Sequence, residues 1–375
     1  MSGLYIHIPF CLSKCAYCAF VSYPVKNFDP ASYLKALYLE IDFQSGKYNG
    51  EHFSSIFIGG GTPTILSNKD LTELFAKIRT RFSISPDAEI TIETNPNTID
   101  KVNASTLRKL GVNRLSIGIQ SLNDHTLKLI NRTHTADEGR AAVEIARDAG
   151  FDNINLDLIY GLPEQDPSQW TETLEEALSL KPEHLAAYQL SIDQGSKFAD
   201  QVENREIKLP DEFQEAEMHE DTARIMAPSS LEQYEISNYA KPGKRCRHNL
   251  LYWHNEEYLG LGAGAVTFRS GSRTSNTPDP ILYEERLLAG KLPAQESENL
   301  PSEAAFRETV IMGLRLIEGV DLDRLAERYN IDARKYYGAT LDKLLAGNLV
   351  EINNNRLRLT GTALPFANQV LSELV

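Results

Sequence analysis

Three of the four cysteines lie within eight residues near the start of the chain. Cys11, Cys15 and Cys18 have the spacing C-x3-C-x2-C and directly follow a short apolar run. Cysteines this close in sequence cannot link distant elements as disulfides, and their clustering indicates a metal site in a reducing compartment. Three thiolates can hold a [4Fe–4S] cluster and leave its fourth iron open to a small molecule. A structural zinc site is the alternative, although such a site normally has four protein ligands.

A glycine-rich run, Gly59-Gly60-Gly61-Thr62-Pro63-Thr64, follows the second apolar segment. Glycine allows backbone N–H and C=O groups to approach a ligand closely. The run lacks the Gly-Lys-Ser/Thr of a P-loop, so a nucleoside triphosphate is not favoured. Taken alone, the run is weak evidence, because a generic glycine turn has the same composition.

Charged and amide side chains follow the later apolar segments: Glu93, Gln120, Arg132 and Asp157. Folds of the α/β class build their sites at the C-terminal ends of strands, so these residues are candidate ligand contacts. Asp157 stands inside an apolar segment, where a carboxylate without a partner is costly to bury. The alternatives are helix capping for Glu93 and Asp157, and a surface ion pair for Arg132.

Short β-prone runs alternate with longer amphipathic segments over the first 200 residues or so. We expect strands at 5–8, 55–58, 89–93, 114–119, 153–159 and 185–191. Helical patterns lie between them at about 30–44, 67–78, 136–149 and 169–180. This alternation predicts an α/β fold with parallel strands and right-handed crossovers. A closed or partly closed (β/α) barrel and an open doubly wound sheet both fit the pattern.

The composition is that of a soluble globular protein with an acidic balance. Acidic residues number 52 against 38 basic ones, and the formal net charge is −14. This balance argues against a general nucleic-acid binder or a polybasic membrane-surface protein. The N-terminus has no signal-peptide pattern, and no stretch approaches the ~20 apolar residues needed to cross a bilayer. We therefore expect a cytoplasmic protein.

The sequence pattern changes after about residue 200 and again after about residue 300. The middle part contains a helical pattern at 211–226, a glycine-rich segment at 258–267 and a polar loop at 270–280. Three helical patterns at 304–345, two short strands at 349–352 and 357–360 and a last helix then resemble a winged-helix unit. Because this unit has little basic excess, packing or partner docking is favoured over DNA binding. We predict a barrel core over 1–200, an extension and linker over 201–300, and a winged-helix-like domain over 301–375.

Together, the cysteine loop and the residues after the strands resemble the radical S-adenosylmethionine (radical SAM) superfamily. In that family the open iron chelates S-adenosylmethionine, and one electron from the cluster cleaves it to a 5′-deoxyadenosyl radical. The resemblance implies an α/β fold, a partial (β/α)6 TIM-like barrel, with a C-terminal α+β winged-helix-like domain. It implies that Cys11, Cys15 and Cys18 hold a [4Fe–4S] cluster. The cofactor contacts it implies are Tyr5, Tyr17, Gly60, Gly61, Thr62, Glu93, Gln120, Arg132 and Asp157. Some of these would serve a second S-adenosylmethionine in one branch of the family.

The N-terminal run Tyr5-Ile6-His7-Ile8-Pro9-Phe10-Cys11 resembles a narrower branch, the coproporphyrinogen III dehydrogenases. Those enzymes carry a further cysteine two residues after the third cluster cysteine, and a sizeable extension before the cluster loop. Here Phe20 stands at the position of that cysteine, and the first strand begins near residue 4. Both departures resemble the HemW-type haem chaperones and put coproporphyrinogen decarboxylation in doubt.

The segment His248-Asn249-Leu250-Leu251-Tyr252-Trp253 resembles the H-N-x-x-Y-W signature of the HemW-type family. A histidine beside two aromatic residues could ligate haem iron and offer flat faces to a porphyrin. The alternative is an ordinary aromatic core strand with a hydrogen-bonded histidine. The first candidate for a haem ligand is His248, and His254 and Cys246 are nearby alternatives.

The resemblance implies a protein that binds haem as cargo and transfers it to acceptor haemoproteins. These acceptors include respiratory haemoproteins, which implies a peripheral membrane association, although the acidic composition gives it no electrostatic support. We expect no nucleic-acid partner. The rival function is oxygen-independent coproporphyrinogen III dehydrogenase, acting through a 5′-deoxyadenosyl radical. Because of Phe20, we expect a radical SAM-type site without that activity.

Overall fold

Six parallel strands lie side by side in the order in which they follow one another along the chain. They are β1 (Ser2–Ile8), β2 (His52–Gly60), β3 (Ser83–Thr94), β4 (Arg114–Gln120), β5 (Ile154–Tyr160) and β6 (His184–Gln189). Because each strand pairs with the next, the sheet winds in one direction, as a barrel does, without the reversal of a doubly wound sheet. β1 and β6 pair with further strands instead of with each other, so the barrel is open. This computed structural model describes residues 2–375.

Helices connect these strands, and the longer ones bury an apolar stripe. In the helix Asn68–Arg81, for example, Leu71, Leu74 and Ile78 are buried, and Ser67 caps its N-terminus. The four predicted helices are confirmed, and two shorter ones were not predicted because so few residues display little periodicity. The helices of the barrel are Pro30–Ser45, Asn68–Arg81, Lys101–Lys109, Asp124–Leu129, Ala136–Asp148 and Pro167–Ser179.

Further strands extend the sheet beyond both ends of the barrel. Tyr258–Leu261 pairs in parallel with β1 and is followed outwards by Val266–Arg269, Ser272–Asn276 and Ala294–Asn299. Beyond β6 lie Asn238–Ala240 and Glu232–Gln233. The prediction of a polar loop over 270–280 is therefore wrong in part. The side chains of Ser272–Asn276 are mostly half-exposed, so this strand shows no apolar alternation in the sequence.

Four helices accompany these added strands. They are Lys197–Glu203, Glu212–Met226, Arg247–Trp253 and Pro280–Leu288. The first hydrophobic core includes residues from both the barrel and this extension, such as Leu4, Met218 and Leu287. The division of the chain at about residue 200 stays a prediction.

A second hydrophobic core, which includes Phe306, Leu341 and Leu357, lies in the C-terminal part of the chain. Its helices are Ser302–Gly313, Leu322–Tyr329, Ala333–Ala346 and Ala367–Ser372, and its strands are Val320–Asp321, Val350–Asn353 and Arg356–Leu359. Helices beside a small antiparallel sheet give the winged-helix-like arrangement expected from the sequence. Over residues 2–375, no helix has both the length and the apolar character that a membrane span requires.

Candidate functional site

Backbone hydrogen bonds hold the cysteine loop against the barrel. The Thr62 N–H donates to the Phe10 carbonyl at 2.7 Å, directly before Cys11. Further along the loop, the Ala16 N–H donates to the Ile130 carbonyl at 3.1 Å. Because these anchors belong to the segments after β2 and β4, the loop has a fixed place above the C-terminal ends of the strands.

Two of the thiols are joined by a chain of side-chain hydrogen bonds. Thr62 Oγ1 donates to Cys11 Sγ at 3.6 Å, and Arg132 Nη1 donates to Cys15 Sγ at 3.5 Å. Asn95 lies between the two donors: its amide nitrogen donates to Thr62 Oγ1 at 2.8 Å, and its oxygen accepts from Arg132 Nη2 at 2.7 Å. The sequence analysis missed Asn95. Its one signal was its position two residues after Glu93, at the same strand end.

The third thiol and the exposed aromatic ring beside it form the rim of the site. Cys18 Sγ lies 3.7 Å from Ser22 Oγ, and that hydroxyl donates to the Phe20 carbonyl at 3.4 Å. The Phe20 side chain, which stands where the dehydrogenases have a cysteine, is 70% exposed. A ring this exposed offers an apolar face to a ligand at the mouth of the cavity.

A cavity of about 320 Å³ opens in front of the three cysteines. It lies at the C-terminal ends of β2 to β6, where α/β barrels form their sites. The predicted cofactor residues that line it are Tyr17, Gly60, Gly61, Thr62, Glu93, Gln120, Arg132 and Asp157. Tyr5 is the exception: it lines two neighbouring cavities that also reach Glu93.

The glycine run has no room for side chains at its centre. A Cβ atom on Gly59 would lie 2.8 Å from Glu93 Oε2, and one on Gly60 would collide with the His7 ring. Gly60 also has a φ of +108°, which other residues rarely adopt. Its N–H donates to Glu93 Oε2 at 3.0 Å. The glycines therefore allow β2 to approach its neighbours closely, in addition to any approach to a ligand.

Two carboxyl groups face the same cavity. Burial, together with the nearby charge of Asp157, raises the pKa of Glu93 to about 7. Burial also raises the pKa of Asp157, although Asn155 Nδ2 at 2.8 Å and Ser116 Oγ at 3.0 Å donate to its oxygens. These two polar partners offset the cost of burying Asp157 inside a strand. A cationic group entering the cavity would meet both carboxyls.

The chemistry of the lining fits a [4Fe–4S] cluster with one open iron. Three thiols face the cavity, while Cys246 is fully buried and directs its thiol at Glu89 Oε1, 3.5 Å away. Within residues 2–375, no three His, Cys, Asp or Glu side chains converge on a site for a single metal ion. A cubane cluster is larger than one zinc ion, so it holds its thiolates further apart.

The segment with the H-N-x-x-Y-W pattern is a helix, Arg247–Trp253, so the interpretation as a core strand is wrong. Ser55 Oγ lies 2.8 Å from His248 Nδ1, and Tyr252 Oη lies 2.9 Å from His248 Nε2. His248 is 1% exposed, and burial lowers its pKa to about 3, so its imidazole is neutral. Iron ligation by His248 stays a prediction, and this geometry weighs against it because both ring nitrogens are already hydrogen-bonded.

Comparison with known proteins first defines the class. The radical SAM superfamily profile matches residues 5–177, and the HemN C-terminal domain profile matches residues 300–366. Coproporphyrinogen III oxidase (HemN) from Escherichia coli, a radical SAM enzyme, matches the structure with a TM-score of 0.86 and 25% identity. The match covers 99% of this chain and 89% of that one. The fold is thus a radical SAM fold, which implies a [4Fe–4S] cluster and S-adenosylmethionine.

Relatives of known name narrow this class to one family. Heme chaperone HemW of Bacillus subtilis is 36% identical over 99% of this chain and 98% of its own length. Heme chaperone HemW of Mycobacterium tuberculosis is 32% identical over 100% of this chain and 94% of its own. The Escherichia coli protein of the same name is 39% identical over 74% of each chain. The chain belongs to the HemW family of haem chaperones, as its cysteine loop and Phe20 predicted.

Proposed function

We propose that this protein binds haem and transfers it to acceptor haemoproteins, and that its three loop cysteines hold a [4Fe–4S] cluster that binds S-adenosylmethionine. The observation that carries the proposal is the convergence of the three thiols and of nearly all predicted cofactor residues on one cavity, in a chain whose relatives are heme chaperones. When bound, the cluster would supply an iron with an unfilled coordination position.

Side chains of opposite charge in the cavity suit the amino-acid end of S-adenosylmethionine. Glu93 and Asp157 offer oxygen atoms to an ammonium group, and Arg132 offers a guanidinium to a carboxylate. Burial disfavours the charged form of Arg132, but Tyr17 and Cys15 more than offset this effect and raise its pKa. Arg132 therefore stays charged and is positioned beside the cluster loop.

The second candidate function is that of coproporphyrinogen III dehydrogenase, and the TM-score of 0.86 to HemN is the observation that favours it. Phe20 argues against this function, because it stands at the position where the dehydrogenases have a further cysteine. Phe20 cannot supply a thiol to a substrate or to a radical. The chaperone function therefore has the stronger support.

Two assays on the anaerobically reconstituted protein separate these functions. Titration with haemin should give a saturable Soret band, and incubation with coproporphyrinogen III, S-adenosylmethionine and a reductant should give no protoporphyrinogen. The same incubation with a dehydrogenase serves as the positive control. Protoporphyrinogen formation at a rate near that of the control, or no saturable Soret band, would overturn the proposal.

The proposal includes three further features that the resemblance implies. They are respiratory acceptor proteins, a cytoplasmic location and a peripheral contact with the membrane. The net charge of −14 favours contact with an acceptor protein over contact with anionic lipid. Sedimentation with vesicles of anionic and neutral lipid measures the membrane contact, and we expect no increase of binding with the content of anionic lipid. Such an increase would contradict the view that the negative net charge disfavours contact with anionic lipid.

A further inference from the structure

Arg132 begins a series of hydrogen bonds whose direction follows from the chemistry of its members. A guanidinium has five N–H donors and no acceptor, so Arg132 is the donor in every hydrogen bond that it makes. Its Nη1 donates to Cys15 Sγ at 3.5 Å, and its Nη2 donates to Asn95 Oδ1 at 2.7 Å and to the Gly118 carbonyl. The side-chain oxygen of Asn95 must therefore face Arg132, and the amide nitrogen of Asn95 faces away from it.

The orientation of Asn95 determines the direction of the Thr62 hydroxyl. The amide nitrogen of Asn95 can only donate, and it donates to Thr62 Oγ1 at 2.8 Å. Thr62 Oγ1 accepts this bond on a lone pair, so its own proton is left for another acceptor. Among residues 2–375, the acceptor that the hydroxyl reaches is Cys11 Sγ, at 3.6 Å. Because Thr62 is 1% exposed, bulk water does not compete for this proton.

The surroundings of Asn95 hold its amide in this place. The backbone N–H of Asn95 donates to Thr98 Oγ1 at 3.2 Å, and the backbone carbonyl of Asn95 accepts from the Thr98 N–H at 2.9 Å. Pro96 follows in the sequence, and its ring restricts the backbone of Asn95 to extended conformations. Gly118 lies close to the amide, because a Cβ atom there would be 3.1 Å from Asn95 Oδ1. Asn95 is therefore positioned by its own loop and by β4.

We propose that Asn95 is a positioning residue of the cluster site, which fixes the Thr62 hydroxyl as a hydrogen-bond donor to Cys11. Arg132 determines the orientation of the Asn95 amide, so one guanidinium acts directly on Cys15 and, through Asn95, on Cys11. The proposal rests on the cluster-binding function proposed above and adds a residue that acts through its neighbours. Hydrogen bonds to the sulfurs of a cluster are among the factors that set its reduction potential. Asn95 should therefore affect this potential mainly through Thr62.

A double-mutant cycle on the reconstituted full-length protein tests the proposal, with redox titration followed by electron paramagnetic resonance as the measurement. In Asn95→Asp, a carboxylate that can only accept replaces the amide, so the Thr62 hydroxyl donates to the carboxylate and no longer to Cys11. We expect a shift of the cluster potential to more negative values. In the Thr62→Val background the hydroxyl is absent, and the shift caused by Asn95→Asp should fall to about half or less.

The matched control for the added charge is Asn97→Asp. Asn97 belongs to the same loop, and its amide nitrogen donates to Thr133 Oγ1 at 2.7 Å instead of to Thr62. The shift that Asn97→Asp causes should be the same in the wild type and in Thr62→Val. Asn95→Leu is a second variant, which keeps the branched shape of the side chain and removes both hydrogen bonds without adding charge. Its shift should also be smaller in the Thr62→Val background.

The outcomes separate the role of Asn95 from the function on which it rests. If the wild type assembles no cluster, both proposals fail. If the wild type assembles it and the Asn95 variants shift the potential equally in both backgrounds, or cause no shift, the role of Asn95 is wrong and the cluster-binding function stands. Iron and sulfide content is determined for each variant before titration. Loss of the cluster from both Asn95 variants but not from Thr62→Val also overturns the role, because Asn95 would then act other than through Thr62.

Discussion

Hydrogen-bond donors from two separate parts of the chain reach the cysteine sulfurs. Thr62 belongs to the glycine run, and Arg132 belongs to the segment after β4. Each donor stabilises negative charge on the sulfur that it approaches, and such contacts are among the features that set a cluster's reduction potential. The spacing of the cysteines in the sequence did not show these hydrogen-bond donors, which the structure places beside the sulfurs.

Replacement of a loop cysteine should remove the cluster, whereas replacement of the fourth cysteine should not. We expect Cys15→Ser to lose most of its iron and sulfide after anaerobic reconstitution, because two thiolates hold a cubane poorly. The control is Cys246→Ser, whose thiol is buried against Glu89. Chemical iron and sulfide determination measures both variants. Equal iron content in the two would contradict the assignment of the cluster to the loop.

Loss of the hydroxyl beside Cys11 should lower the potential of the cluster. Thr62→Val removes the donor at 3.6 Å, and we expect a shift of roughly 40 mV to more negative values, about 1 kcal/mol for one electron. Thr64→Val is the control, because its hydroxyl is bonded to Thr94 and Thr98 and not to a cysteine. Redox titration followed by electron paramagnetic resonance gives both values. A larger shift in the control would contradict this role of Thr62.

The residues of the cofactor cavity were predictable to very different degrees. Glu93 and Asp157 could be predicted because a carboxylate at the end of an apolar strand is rare without a purpose. Asn95 could not, because an asparagine before a proline is also an ordinary turn residue.

Buried polar contacts position whole elements as well as single side chains. Glu40, in the helix Pro30–Ser45, accepts from the Gly262 N–H at 2.8 Å, from Asn276 Nδ2 at 2.7 Å and from Tyr283 Oη at 2.5 Å. These donors belong to the glycine turn after Tyr258–Leu261 and to the segments beyond it. One carboxyl group therefore ties the added strands to the first helix of the barrel.

The Glu40 carboxyl should make stability depend on pH. Burial raises its pKa from 4.5 to about 7, so the folded state favours the protonated form. The stability it contributes is full below pH 4.5 and is lost as the pH rises through 7, by about 3 kcal/mol at most. Glu40→Gln lacks this titration. We expect the stability of the wild type minus that of Glu40→Gln to decrease between pH 4.5 and 7.5.

Urea unfolding at several pH values measures this difference. The matched control is Glu285→Gln, which removes an exposed carboxyl from the helix that carries Tyr283 and leaves the buried contacts of Glu40 in place. If the difference in stability between the wild type and Glu40→Gln is constant over this pH range, the raised pKa of Glu40 is contradicted.

At the scale of elements, the barrel strands were predictable because they are continuous apolar runs, as buried parallel strands are. Their order was not, since a barrel and a doubly wound sheet have the same alternation of elements. The helix Arg247–Trp253 was missed because its aromatic composition is typical of strands. Tertiary contacts stabilise the helical conformation of this segment. The Glu89 carboxylate accepts hydrogen bonds from the backbone N–H groups of Arg247 and His248 in the first turn of the helix.

For the whole molecule, two cavities with different linings lie side by side and share Tyr188 and Gln189. The first holds the thiols and the predicted cofactor residues, and the second lies where the barrel meets the C-terminal unit. The sequence alone indicated the first cavity, whereas the second depends on the docking of residues 364–369.

Transfer of haem to an apo-acceptor tests the central claim most directly. The cluster-containing protein is loaded with one equivalent of haem, mixed anaerobically with an apo-cytochrome, and followed by the Soret band of the acceptor. Haem-loaded serum albumin, which binds haem without being a chaperone, is the control donor. We expect the acceptor to fill to stoichiometry, and faster than from albumin at the same haem concentration. Transfer that is absent, or no faster than from albumin, would contradict the account.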